Sequence, residues 1–454
     1  MRTTFHQWFR SIYAYRRGTR AVAVVIALLP PSYRLAAQPV IVGDTMRLTL
    51  ASARHLALEI NPTILADAVE RAIAEGRLQQ AGAFRFNPSA EALGGAGGNI
   101  PEFGISQEIE LFGQRAARVA SARAGLAAAS ASVDNSRRIA VGEIDRTFYR
   151  LVFQKQRATL AESVLALNQR VSTIAERQLA AGEISRLDYN LAVIELGRSR
   201  SRAIVARRER DDVTLDFARL LGIGRGVIPD PVLDSTQHSP LVDSTADGAD
   251  VRILVERGER MNVDSLISVA LRNRADLGVT TAQIEQASAD VRVARREALP
   301  NLVARGVSEA NADAAGRVFR AGVGVTLPIL NRNRGDISAR RAVAAQAQLR
   351  RTALQAEVRT EVAQAVAAYR AAAAEVEILE TTVLPSARQN RQLLESAYRE
   401  GKVGLPVLLL IRNQVIDAEL DYWSAWLEER EAFALVAEVT GQNLVGLPKP
   451  EAVR

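Results

Sequence analysis

From Gln114 to Ala180 the chain has no proline and only two glycines, Gly125 and Gly142. Nothing in that run stops a helix, which can wind for about 67 residues, roughly 100 Å at 1.5 Å per residue. Globular helices are far shorter, so this one needs partners that run alongside it. Leu160, Val164, Leu167, Val171 and Ile174 alternate steps of four and three, the spacing of a heptad seam. Val376, Leu379 and Val383 start a similar seam. Two more helical stretches, about 48–82 and 188–222, are each near 35 residues. Stacked end to end, they match the long helix and could lie beside it.

The chain reads as one unit written twice. A shift of 212 to 220 residues sets Ala57-Leu58 on Ala270-Leu271, Pro88 on Pro300, Ile109 on Ile329, Tyr149-Arg150 on Tyr369-Arg370, Gly182 on Gly401 and Gly222 on Gly441. Each match alone is weak, but their constant order predicts a duplication. The repeats are 38–222 and 261–441. Between them, 223–260 carries Pro229, Pro231 and Pro240 among Asp, Ser and Gly and reads as an extended connector; 442–454 is a tail. Each repeat runs helix, two short strands, very long helix, tight break, shorter helix, so the fold class is mainly α with a small β part. In the first repeat the strands fall at about 88–111, the long helix at 113–180 and the return helix at 188–222; in the second the strands fall at about 300–329.

A long coiled coil needs no strands, so the strand pairs are informative. Phe319, Ala321, Val323, Val325 and Leu327 alternate with Arg320, Gly322, Gly324 and Thr326. Phe103, Ile105 and Ile109 repeat the pattern around Gly104, Ser106 and Glu108. About nine to eleven residues with apolar and polar faces is the length and pattern of a membrane β-strand; an amphipathic strand in a soluble sheet fits the same residues. Ser89 to Gly95 and Asn301 to Glu309 alternate less cleanly. Gly94 to Gly98 and Ala310 to Gly316 read as the hairpin loops between strands.

Residues 1–37 read as a signal peptide. Arg10, Arg16, Arg17 and Arg20 precede the apolar run Ala21 to Leu29, and Leu35-Ala36-Ala37 offers a cleavage site. Those nine apolar residues are too few to span a bilayer, which takes about 20. The formal charge of +7 includes six arginines in this leader. Removing them leaves +1, which withdraws the main argument for a nucleic-acid partner. The absence of cysteine excludes disulfides, thiol chemistry and a lipidated N-terminal cysteine. With only His6, His55 and His238, no His-rich metal site is available and no base–nucleophile set is visible. The chain is therefore read as a non-enzyme without cofactor or resident metal. Two glycine clusters, Gly94 to Gly98 and Gly222 to Gly226, lack the strand-then-helix context of a phosphate loop.

The two breaks carry the remaining signal. Gly182-Glu183-Ile184-Ser185-Arg186-Leu187-Asp188 and Gly401-Lys402-Val403-Gly404-Leu405 each place a glycine where a helix can close, and Ser185 or Gly404 where the next can open. With the duplicated plan, the forms Gly-x-Ile-Ser-x-x-Asp and Tyr398-x-x-Gly401-x-Val403-Gly404-Leu405 resemble the TolC-like outer-membrane efflux proteins over about residues 44 to 442. The flavour is similar to the heavy-metal cation-efflux branch. The resemblance implies a homotrimer in which each chain gives four strands to a twelve-stranded barrel in outer-membrane lipid. It further implies a trimeric α-helical barrel in the periplasm, whose tips (Gly182, Ile184, Ser185, Leu187, Asp188, Gly401, Val403, Gly404 and Leu405) meet a periplasmic adaptor fed by an inner-membrane pump of the RND type. The implied function is a passive conduit for small molecules or metal cations. A type I secretion duct for polypeptides and a soluble periplasmic coiled-coil scaffold are the alternatives.

At the aperture this chain departs from the family pattern, which commonly places aspartates after the second tip; Val407 and Leu410 stand there instead. Asp188 could pair with Lys402, Arg399 or Arg412, a polar latch. Leu405, Val407 and Leu410 around a threefold axis could close the pore by excluding water; the same three residues could equally pack between helices.

Overall fold

The computed structural model describes residues 44–93, 102–224, 226–233, 262–310 and 316–443, all within the unit Ile41–Arg454. The leader, most of the connector, the turn at Gly94 to Gly98, most of the second hairpin loop and the tail beyond Asn443 lie outside them.

The described residues open with β1 (Asp44–Leu48), then α1 (Leu50–Ile60) and α2 (Pro62–Gly82). The single helix expected over 48–82 is thus two. Asn61 takes an extended conformation, ends α1 and caps α2 by accepting from Thr63 N at 2.8 Å, with Pro62 in the first turn. β2 (Ser89–Leu93) and β3 (Glu102–Ile109) follow, then the uninterrupted α3 (Gln114–Ala180) and α4 (Arg186–Leu221). β4 (Val227–Pro231) pairs in parallel with β1, so the start of the expected connector is tied to the strand that precedes α1. The second repeat has α5 (Val263–Asn273), α6 (Ala275–Glu297), β5 (Leu302–Ala310), β6 (Arg317–Val325), α7 (Arg334–Ile378), α8 (Leu384–Arg399) and α9 (Leu405–Val439).

α5 and α6 break at Arg274, whose φ and ψ of −65° and 123° nearly equal the −65° and 119° of Asn61, although no proline is present. Gly222 and Gly441 pack on these two breaks. A Cβ on Gly222 would lie 2.8 Å from Asn61 Cα, and one on Gly441 would lie 3.1 Å from the Asn273 carbonyl. The duplication therefore extends to a close helix-end contact.

The second long helix is interrupted where the first is not. Leu379–Val383 forms a π turn, with Leu384 N donating to Leu379 O. Pro385 cannot supply the N–H that an α-helix needs there, and the ladder slips by one residue. The core has separate centres. Phe148, Leu151, Phe217, Leu221 and Trp426 gather against α1, while Leu266, Val358, Val362, Val366 and Val436 gather in the second repeat.

The four strands form one antiparallel sheet in the order β2-β3-β5-β6. Its register rows Ala92–Phe103–Ser308–Phe319 and Ala90–Ile105–Gly306–Ala321 lie on one face, and the row Glu91–Gly104–Val307–Arg320 lies on the other.

Candidate functional site

Both tips close by the same backbone device. After α3, Gly182 takes φ of 77°, Gly182 N donates to Leu179 O at 3.0 Å and Glu183 N to Gln178 O at 2.8 Å. After α8, Gly401 takes φ of 71°, Gly401 N donates to Tyr398 O at 3.0 Å and Lys402 N to Ala397 O at 2.9 Å. Glycine is favoured because a Cβ is strained at this φ. The next helices start differently. Ser185 and Asp188 form a capping box, with Asp188 N donating to Ser185 Oγ at 3.1 Å and Ser185 N to Asp188 Oδ2 at 3.3 Å. α9 opens at Gly404 without a side-chain cap, with Pro406 in its first turn.

The tips share one small core in which Ala175, Ala192, Leu405 and Leu409 are buried, with Ile184, Tyr189, Tyr398 and Leu408 against them. Of the two readings open for Leu405, pore-facing or packed between helices, the single chain has the second: Leu405 is 6% exposed and packs inward. Leu187, Val407 and Leu410 stay exposed at 77%, 42% and 61%; Val403 and Asp188 are half-buried. The groups of the polar latch have other partners inside a single chain. Within one chain Lys402 Nζ meets Glu400 at 2.5 Å, Arg399 Nε donates to Glu395 O at 3.1 Å, and Asp188 is held in its own cap. Arg412 is buried and donates to Asn168 Oδ1.

That contact belongs to a buried polar layer beyond the tip core. Asn168 Nδ2 donates to Glu195 O at 3.4 Å, Asn413 Nδ2 to Glu195 Oε2 at 3.4 Å, and Arg198 Nη1 to Glu195 Oε1 at 2.9 Å. Burial lowers the Arg412 pKa, and the Glu195 charge only partly offsets it. The layer escaped the sequence reading, although an asparagine at 168, one residue past a seam leucine, was its visible sign.

The sheet is the second surface. One face carries Phe103, Ile105, Ile109, Phe319, Ala321, Val323 and Val325; the other carries Glu91, Glu102, Glu108, Arg305, Glu309 and Arg320. On the charged face Arg305 lies 3.6 Å from Glu102 and 3.8 Å from Glu91, and Arg320 lies 3.4 Å from Glu309. On the apolar face Phe319 is 80% exposed. Below the sheet Phe84, beside the Arg115 guanidinium at 5.2 Å, and Phe112 are exposed as well. Among the described residues no helix is long and apolar enough to cross a membrane.

Residues 266–442 match the family described as outer membrane efflux protein. Over 94% of its length the chain is 22% identical to the cobalt-zinc-cadmium resistance protein CzcC of Cupriavidus metallidurans, all of which is covered. Among solved structures, the outer membrane channel CmeC of Campylobacter jejuni is similar with a TM-score of 0.70 at 15% identity, covering 88% of this chain and 87% of CmeC. CusC, described in terms of transmembrane channel formation, is similar with a TM-score of 0.69 at 15% identity, covering 86% of this chain and 92% of CusC. These matches bear out the resemblance read from the tips, and the fold is that of the TolC-like channels.

Proposed function

We propose that this chain, which carries the outer membrane efflux family match in its second repeat, is the outer-membrane channel component of a tripartite efflux system, a transport conduit and not an enzyme. The observation that carries this reading is the sheet. It has an apolar face, a charged face and two edge strands, β2 and β6, with only one partner each among the described residues. Open edges are not tolerated in lipid, and four strands are too few to close a barrel. Three copies joined edge to edge make twelve strands, with the apolar face toward lipid, the charged face toward the lumen and the long helices continuing as a periplasmic tunnel. The tips at Gly182 to Asp188 and Gly401 to Leu405 dock a periplasmic adaptor, behind which an inner-membrane pump of the RND type drives transport. Small molecules or metal cations are the cargo; the likeness to a cobalt-zinc-cadmium resistance protein favours cations. The leader is removed after Ala37, and the protein has no cysteine to carry a lipid there.

Fractionation tests the reading. The protein should stay with the outer membrane until detergent releases it and should cross-link as a trimer. Release with the periplasmic contents would overturn it. Deleting the gene should sensitise cells to divalent cobalt, zinc or cadmium.

A further inference from the structure

Where the sheet meets the helices, α3 and α6 enclose a cleft of about 870 Å³. Arg292, Arg295 and Arg296 line it on the α6 side, and Leu111, Phe112 and Leu299 supply its apolar wall. The small residues Ala116 and Ala120 leave the space open. We propose that this cleft seats an anionic phospholipid of the periplasmic leaflet, with its phosphodiester on the arginines and its acyl chains on the apolar wall.

The placement follows from the strand alternation and rests on the channel reading. Ile109, the last residue of β3, lies on the apolar face, and the chain runs on from it through Leu111 and Phe112 into the cleft, while Glu110 pairs with Arg118 on α3. On α3, the cleft residues Ala116, Ala117 and Ala120 lie on the side away from Arg118. The cleft therefore opens at the foot of the apolar face, at the level where lipid headgroups begin. It is complete within one chain, because Ser121 to Asp290 joins α3 directly to α6, and Gln114 Nε2 donates to Asn301, between α6 and β5, at 3.0 Å. The edges left for neighbouring copies, β2 and β6, are elsewhere in the sheet order.

The charge balance argues for an anion. Nearby arginines are matched, Arg118 by Glu110, Arg85 by Glu297 and Arg340 by Asp290. Arg292, Arg295 and Arg296 have no ion pair among the described residues. Guanidinium groups suit phosphate oxygens through paired N–H donors. A free phosphate would leave Leu111 and Phe112, 56% and 45% exposed, against water; a phospholipid covers them.

The test uses delipidated full-length protein in a neutral detergent, with unfolding followed by tryptophan fluorescence. Dioleoylphosphatidylglycerol should raise Tm saturably, and inorganic phosphate at equal concentration should not. Each arginine contributes about fivefold to affinity for an anionic lipid, so Arg295→Gln should shift the midpoint of the lipid titration about fivefold and the Arg292→Gln, Arg295→Gln, Arg296→Gln triple variant about 100-fold. An unshifted midpoint in the single variant, with its lipid-free Tm unchanged, would overturn the proposal. An equal rise with inorganic phosphate would overturn it too, by making the cleft a simple anion site. Failure of the channel reading registers separately, as wild-type protein in the periplasmic fraction.

Discussion

Gly182 and Gly222 have almost the same backbone, with φ of 77° and 76°, but different surroundings. Nothing lies within 4 Å of a Cβ placed on Gly182, whereas at Gly222 it would strike the backbone of Ile60 and Asn61. Gly182→Val therefore carries only the left-handed strain, about 1–2 kcal/mol, and the trimer should survive it. Loss of adaptor-dependent efflux with the trimer intact, in this variant and in Gly401→Val, would support the tips as docking sites; normal resistance in both would count against them. Gly222→Ala adds a backbone clash and should cost about 2–4 kcal/mol, read as a fall in Tm about twice that of Gly182→Ala. Both glycines stand out in the sequence as helix stops. The difference between them depends on which segment packs across each one, and no local pattern records that.

At the scale of elements, the proline-free run and the helix Gln114–Ala180 coincide, but the expected seam is only partly the buried one. Val164 is buried, whereas Leu167 and Ile174 are 41% and 51% exposed and Asn168 and Ala175 take the inner positions. Against close neighbours a small or hydrogen-bonded residue fits where a leucine would not. Glu429 on α9 shows the same override: it is 2% exposed and 3.3 Å from the neighbouring Arg430. Burial raises its pKa, and the Arg430 charge only partly opposes this. A raised folded pKa means that its contribution favours folding at low pH and is lost as pH rises through the folded value. Glu429→Gln should therefore raise Tm at neutral pH and flatten its dependence above the ordinary carboxylate range. Asp276 acts in the opposite sense. Burial pushes its pKa up, but hydrogen bonds and charge from Arg274, with Arg138 adding to them, outweigh that and hold it below 3.8. Its stabilisation is complete above 3.8 and is lost as pH falls through the lower folded value. Asp276→Asn should lower neutral-pH Tm and remove part of the acid sensitivity, measured by melting from pH 7 downward.

At the scale of the whole molecule, the proposed threefold assembly would decide what the aperture is made of. Leu405 is taken up by the tip core and Arg412 by the buried polar layer, so Val407 and Leu410 are the apolar candidates left to face the axis. Water is excluded from a narrow ring of such side chains, and six of them in a trimer could hold the pore shut. Leu410→Asp should then raise closed-state conductance in a planar bilayer and make it favour cations. If it changes neither while Asp188→Ala opens the channel, closure rests on Asp188 across a subunit boundary.

Sequence alone determined the features that depend on near neighbours in the chain. The absence of proline over Gln114–Ala180 permits one helix, alternation marks the faces of β3 and β6, and the glycines at 182 and 401 stop helices where the backbone must turn left-handed. Tertiary structure decided what depends on partners far along the chain. The break at Arg274 has no proline to announce it. It forms where Gly441 packs and where Arg274 reaches Asp276 and Glu361. Leu405 and Leu410, both leucines near one helix start, end as core and surface because only Leu405 faces Ala175 and Ala192. Helix and strand signals are local; burial requires a second segment to arrive, and which one arrives is settled only when the chain has folded.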